Sequence, residues 1–288
     1  MGELLGIVQL AQAELGPQFK ALQQAMGALR TAVGLAGEEK VDALPMQRAL
    51  VKLEIAAEQV ESEFLDAAVS AFAAATQIAL DELAYTFAED LRHEFSSRGD
   101  TVSGRPPTLM VGYLIFNINM AARKGQWFYG KEALTRPIPL SLKGILKAYD
   151  RQVKRIVQRE LDSAKLLNDI YEAWQDCLAK RKSTPSGGRI NIVETYSQLT
   201  LNRQSNRFWN APSRSTFKDY ERPFFVRDLV LLLEQDATKL EVDGQIQRLH
   251  LGVATKSQAE QANRSIWLPE HGAEGQFYGD IAFKAEKA

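Results

Sequence analysis

The 288-residue chain has one cysteine and three histidines. A lone Cys177 cannot form an internal disulfide or an all-cysteine metal cage, and it suits a reducing compartment. The nucleotide and hydrolase signatures are missing too. There is no G-x-x-x-x-G-K-[ST], G-x-G-x-x-G, H-E-x-x-H or G-x-S-x-G, which argues against a P-loop ATPase, a dinucleotide enzyme, a zincin or an α/β-hydrolase. Long hydrophobic runs are short of what a bilayer demands. The most apolar segment, Ala67–Leu80, lies between Asp66 and Asp81, whereas a spanning helix needs about 20 apolar residues. The opening MGELLGIVQLAQAE has no positive n-region and no A-x-A cleavage pattern. Gly6 stands where a myristoylation motif wants Ser or Thr. These absences lead to the expectation of a cytoplasmic protein with no membrane contact.

What is present is ordinary in bulk and uneven in detail. Apolar residues make up 45% and charged residues 25%, as in soluble globular chains, and the length allows one large domain or two. The net charge of −1 conceals segregation. Residues 1–99 carry 7 Lys/Arg against 15 Asp/Glu, residues 100–227 carry 22 against 11, and residues 228–288 carry 6 against 10. A basic middle between acidic ends points to a phosphate-rich or acidic partner rather than to any fold.

Helical spacing dominates the first hundred residues. Leu4, Val8, Ala11 and Leu15 step by three or four. Gly16-Pro17 is expected to break and restart the helix, and Phe19, Leu22, Met26, Leu29 and Val33 continue the stripe. From Pro45 to about Phe95 the apolar pattern runs with no Gly or Pro, predicting one rod of roughly 75 Å. Ser96–Pro107 is a Gly/Ser/Pro loop. The stretch LMVGYLIFNINMAARKGQWFYGKE, Leu109–Glu132, reads as a β-hairpin with a strand Leu109–Met120 and a charged turn at Arg123-Lys124. A second long helix is predicted from an N-cap at Ser141 to about Lys182. Lys180–Arg189 reads as a linker. Arg189–Phe225 has no sustained period, a short helix follows near Val226–Leu240, and three strands close the chain at QIQRLHLGVA, RSIWLPE and QFYGDIAFK. The expected fold is α+β and mainly helical, with long antiparallel, coiled-coil-like helices flanking a β-hairpin and a small C-terminal mixed segment. The expected regions are 1–98, 99–182 and 183–288.

Three basic clusters carry the functional reading. At the hairpin they are Arg123, Lys124, Trp127 and Lys131. On one face of the second long helix lie Lys143, Lys147, Arg151, Lys154, Arg155 and Arg159, opposite an apolar back of Leu142, Ile145, Leu146, Tyr149, Val153, Ile156 and Val157. In the irregular segment Arg203, Arg207, Arg214, Lys218 and Arg222 interleave with Phe208, Trp209, Phe217 and Tyr220. Lys and Arg neutralise phosphates and aromatics stack on bases, which is the chemistry of nucleic-acid contact. The competing reading keeps the aromatics in the core and the basic helix face solvated or paired with the acidic N-terminal helices.

Catalytic constellations are weaker. Asp90 and His93 make half of a carboxylate-bridged metal pattern with no second Glu-x-x-His. Cys177 could meet His93 or His250, although an inert thiol is the default. Glu270–Gly275 and the tail GDIAFKAEK hold scattered acids without a nuclease spacing. No cofactor or metal is implied. The sequence therefore points to a non-enzymatic subunit of a cytoplasmic, bacterial multi-protein assembly. It would bind other subunits or itself through long helices, and nucleic acid through its basic middle. The alternatives are an adaptor with no nucleic-acid contact and a metal-dependent nuclease or other hydrolase.

Overall fold

The computed structural model describes residues 2–38, 42–270 and 274–286. About 55% of the chain is helix and 20% strand, with antiparallel sheets, so the fold is α+β. It divides into two compact units. The first comprises Met1–Asp100, Asn119–Gly125 and Pro137–Lys147, and the second Thr101–Ile118, Gln126–Arg136 and Ala148–Ala288.

The first unit rests on three helices, α1 (Gly2–Ala36), α2 (Ala43–Ala57) and α3 (Glu63–Ser97). Helix α2 packs against both others, and the shared core holds Ala25, Ala28, Ala32, Met46, Ala49, Leu53, Ala56, Leu65 and Phe72. Two expectations change here. Helix α1 runs through Pro17 without a break. The rod expected over 45–95 is a hairpin of two helices, with Glu58–Glu61 forming its turn. Ser62 takes an extended conformation (φ −158°, ψ 113°), and its hydroxyl accepts the Leu65 amide at 3.4 Å. Glu63 and Asp66 then sit in the first turn of α3, where acidic charge suits the helix dipole. Turning back places Leu65 and Phe72 in one core with Leu53 and Ala56, whereas a straight rod would leave both apolar faces in water.

The central strands form an antiparallel meander: β1 (Val102–Arg105), β2 (Thr108–Val111), β3 (Leu114–Asn119), β4 (Lys124–Tyr129) and β5 (Glu132–Ala133), with β6 (Ile138–Pro139) beside β4. The single strand expected over Leu109–Met120 is therefore two. Gly112 (φ +55°) reverses the chain, so that Val111 pairs with Leu114. Helix α4 (Leu142–Gln152) begins where Ser141 Oγ accepts the Gly144 amide at 3.3 Å. Instead of continuing to Lys182, the helix loosens into a π-helical turn at Val153–Val157. It ends before Asp162, whose carboxylate accepts the Lys165 amide at 3.0 Å and starts α5 (Ser163–Ala179).

In the second unit β7 (Ile190–Asn191), α6 (Ile192–Asn202), α7 (Asn206–Asn210) and α8 (Arg222–Glu234) precede a second sheet. That sheet contains β8 (Lys239–Val242), β9 (Gln245–Val253), β10 (Ile266–Pro269) and β11 (Gly275–Ala285), with α9 (Lys256–Ala259) between β9 and β10. Its order is β10-β11-β9-β8, and β7 adds to β11. The three expected C-terminal strands are present, joined by β8 across an Asp243-Gly244 turn in which both residues have positive φ. Buried Phe225, Leu229 and Leu232 of α8, Leu166 and Ile170 of α5, and Ile281 and Phe283 of β11 belong to this unit's core.

Candidate functional site

The three basic clusters have different fates. At the hairpin tip, Arg123 adopts φ +47° and is exposed, as is Lys124. Trp127 is fully buried, with its ring 4.7 Å from Phe116 and 5.1 Å from Tyr149. A base cannot reach it, so it is a core residue and not a stacking platform. The Lys131 ammonium lies 4.1 Å and 4.2 Å from the ring centroids of Trp267 and Phe277, which turns it onto the chain's own aromatics.

On the helical stretch, Lys143 faces Glu38 at 3.6 Å. Lys147, Arg151 and Lys154 are exposed. Arg155 pairs with Glu221 and lies 4.9 Å from the Phe224 ring. Arg159 grips Asp228 with two bonds, at 2.8 Å from Nε and 3.3 Å from Nη2. Asp228 is almost wholly buried and also accepts the Tyr220 hydroxyl at 2.7 Å. That hydrogen bond to Asp228 holds the Arg159 guanidinium above its ordinary value. Burial first, and the Asp228 charge second, hold the Tyr220 hydroxyl far above the usual phenol range.

The irregular segment contributes to the same network. Arg203 donates twice to Asp169, at 3.0 and 2.9 Å, and stands 4.3 Å from the Tyr220 ring. Arg222 is fully engaged by Glu132 at 2.8 Å and by the carbonyls of Ala262 and Ser265 at 2.6 and 2.9 Å. Around Arg159, Arg203, Tyr220 and Phe224 opens a cleft of about 680 Å³ in which Asp169, Glu172 and Asp219 accompany Lys165 and Lys218. Arg159, Lys165 and Arg203 of this cleft are paired with acids, which weakens the field that it offers to an anion. Arg207, Arg214 and Lys218 form no ion pair among the described residues and are exposed. They belong to the same stretch of sequence as Trp209, which is 56% exposed and meets Phe208 edge-on at 5.2 Å, while Phe208 meets Phe217 at 5.5 Å.

Within the second unit, the chemistry-bearing residues named from the sequence are each occupied elsewhere or held inert. Cys177 is buried, and desolvation raises its thiol to about 11, so the nucleophilic thiolate is not formed near neutrality. His250 is held below its ordinary value by desolvation, with Lys284 and Arg248 adding to the effect. Glu286 of the tail is taken up by Lys239 at 2.9 Å. Among the described residues no group of three or more His, Cys, Asp and Glu could hold a metal ion. Residues 271–273 within Glu270–Gly275, and Lys287 in the tail, lie outside the described residues.

A surface that the sequence did not single out lies on α1. Its apolar stripe was read as helical spacing alone, and the helix has two faces. Ala25, Ala28 and Ala32 are buried against α2. The larger Leu4, Leu5, Ile7, Val8, Leu10, Leu15, Phe19, Leu22, Met26 and Val33 stand in solvent at 52–72% exposure. The signal was in the sequence: the small residues form a row of their own, offset from Leu22, Met26 and Val33. Helix α3 adds exposed Phe64 and Ile78. By length and composition alone, its segment Glu63–Leu83 is long and apolar enough to cross a membrane.

No protein-family profile matches the sequence, and neither a curated protein nor a solved structure matches it.

Proposed function

We propose that the chain is a non-enzymatic subunit of a protein assembly and that it docks through the outer face of α1. Seven large apolar side chains at helical spacing on that face, Leu4, Val8, Leu15, Phe19, Leu22, Met26 and Val33, all more than half exposed, carry the reading. They offer on the order of 800 Å² of apolar surface, against ~300–600 Å² for the largest patch on a typical monomer. The stripe repeats at steps of three and four from Leu4 to Val33, as the seam of a coiled-coil-like helix pair does.

The test is migration in native extract. The wild-type chain should travel in a species larger than its own 32.1 kDa. A Phe19→Glu/Leu22→Glu variant, folded by circular dichroism, should return to chain mass. Equal migration of the two sinks the assembly reading.

A second reading, contact with single-stranded nucleic acid, is favoured by the exposed Trp209 in one segment with the exposed Arg207, Arg214 and Lys218. Aromatic faces with free cations suit unstacked bases. The footprint is this one segment instead of the whole basic middle, because Arg155, Arg159, Arg203 and Arg222 are already matched by the chain's own carboxylates.

A further inference from the structure

We infer that the occupant of the α1 face is a second copy of this chain, its α1 running antiparallel to the first about a twofold axis near Pro17. The inference rests on the assembly role proposed above and names its partner.

Charge supplies the first argument. The sequence from Gly2 to Gly16 contains only acidic charges, Glu3 and Glu14, and that from Pro17 to Ala36 only basic ones, Lys20 and Arg30. An antiparallel copy sets the acidic half of one helix beside the basic half of the other, twice over, and also opposes the two helix dipoles. A parallel, in-register copy sets like beside like. A helix whose charge reverses at its middle is complementary to itself in one orientation only.

Geometry supplies the second. Over Leu4–Val33 the stripe advances at close to the 3.6-residue helical period, so it runs straight along the rod for roughly 44 Å. An axis at Pro17 brings Val8 level with Met26 of the second copy, Leu15 level with Phe19, and Glu14 to the same height as Lys20. At these two levels, on either side of the axis, large side chains meet large ones. The area is sufficient as well, since a stable interface buries about 800 Å² on each partner.

The charge balance also discriminates against a lipid surface. Helices lying in a membrane interface carry Lys and Arg on their polar face, whereas residues 1–99 hold 7 Lys/Arg against 15 Asp/Glu. Anionic headgroups would be repelled.

The experiment uses the purified full-length chain. At micromolar concentration the wild type should have twice the 32.1 kDa chain mass by light scattering, and Leu15→Glu/Leu22→Glu should halve it. Both leucines are exposed, so the variant keeps its fold, and an unchanged thermal melt verifies this; Leu15→Ser/Leu22→Ser repeats the test without added charge. Orientation is read by disulfide trapping. Mixed Val8→Cys and Met26→Cys chains should cross-link to each other, and neither should cross-link alone. Trapping of Val8→Cys with itself would overturn the antiparallel arrangement. A purified wild type of single chain mass would overturn the second-copy inference. If that monomer still migrates in a larger, stripe-dependent species in extract, a different protein fills the face and the assembly role stands. A monomer that sediments with phosphatidylcholine vesicles assigns the face to lipid.

Discussion

Asp228 sits at the centre of the second unit's polar network. It is a carboxylate at 1% exposure that receives Arg159 twice and the Tyr220 hydroxyl once. Its replacement by Ala leaves a guanidinium and a phenol facing an apolar wall, the expensive way to break a buried pair. The expected cost of Asp228→Ala is about 2–3 kcal/mol, toward the low end for buried pairs because Arg159 keeps partial access to water. A lowered urea midpoint at unchanged slope reports it; a midpoint within error of wild type would show that the pair contributes nothing net. A second acid makes a prediction about pH. Burial raises the Asp42 carboxyl above its ordinary 3.8, against the opposing hydrogen bond that it accepts from Ser141 at 2.6 Å. The folded state therefore holds this proton more tightly than the unfolded chain. Below 3.8 the group withholds nothing, and between 3.8 and the raised folded value it removes stability as pH climbs. Asp42→Asn keeps an acceptor for Ser141 and has no proton to lose. Its unfolding midpoint should gain on wild type as pH rises through that window, and a constant difference across the window would show that Asp42 titrates as an ordinary carboxylate.

The elements show where the sequence was readable. The helical character of the first unit, the hairpin around Arg123, the cap at Ser141 and the last three strands follow from spacing and turn residues, whereas the break expected at Gly16-Pro17 does not occur. What was not readable is where long periodic stretches end. Glu58–Glu61 and Gln158–Leu161 contain neither Gly nor Pro, so the breaks there are local choices made by Ser62 and Asp162 with the help of tertiary burial. Helix α6 escaped for a related reason: Asn191 caps it by accepting the amides of Val193 and Glu194 at 3.0 and 3.2 Å, but its apolar residues are too mixed with polar ones to show a period. Removing the caps tests this account. Asp162→Ala should cost about 1 kcal/mol, and Ser62→Ala about half as much because its bond is longer, 3.4 Å against 3.0 Å. Equal losses in thermal or denaturant unfolding would mean that packing alone sets both breaks. The candidate site was half legible in the same sense. Positive residues were visible, but the acids that engage them lie far along the chain, as with Arg159 and Asp228 or Arg222 and Glu132.

At the scale of the whole molecule, segregated charge does not amount to a free electrostatic surface. Residues 100–227 hold 22 Lys/Arg against 11 Asp/Glu, and several of those cations are held by carboxylates within their own unit. A cation already bonded to an acid releases few counterions when a phosphate arrives, so it adds little to the salt dependence of binding. If only Arg207, Arg214 and Lys218 engage a single strand, three neutralised phosphates give a log–log salt slope of about −2. If the fourteen Lys and Arg residues named from the sequence acted together, the slope would approach −10. Titrating an oligonucleotide while following tryptophan fluorescence at several salt concentrations separates these cases. The expected result is weak binding, a shallow slope, and loss of the quenching signal in Trp209→Ala with no change in stability. A slope steeper than about −5 would mean that the internal ion pairs open on binding and that the basic middle acts as one surface. No measurable binding at low salt would remove nucleic acid from the account and leave the outer face of α1 as the chain's interaction surface.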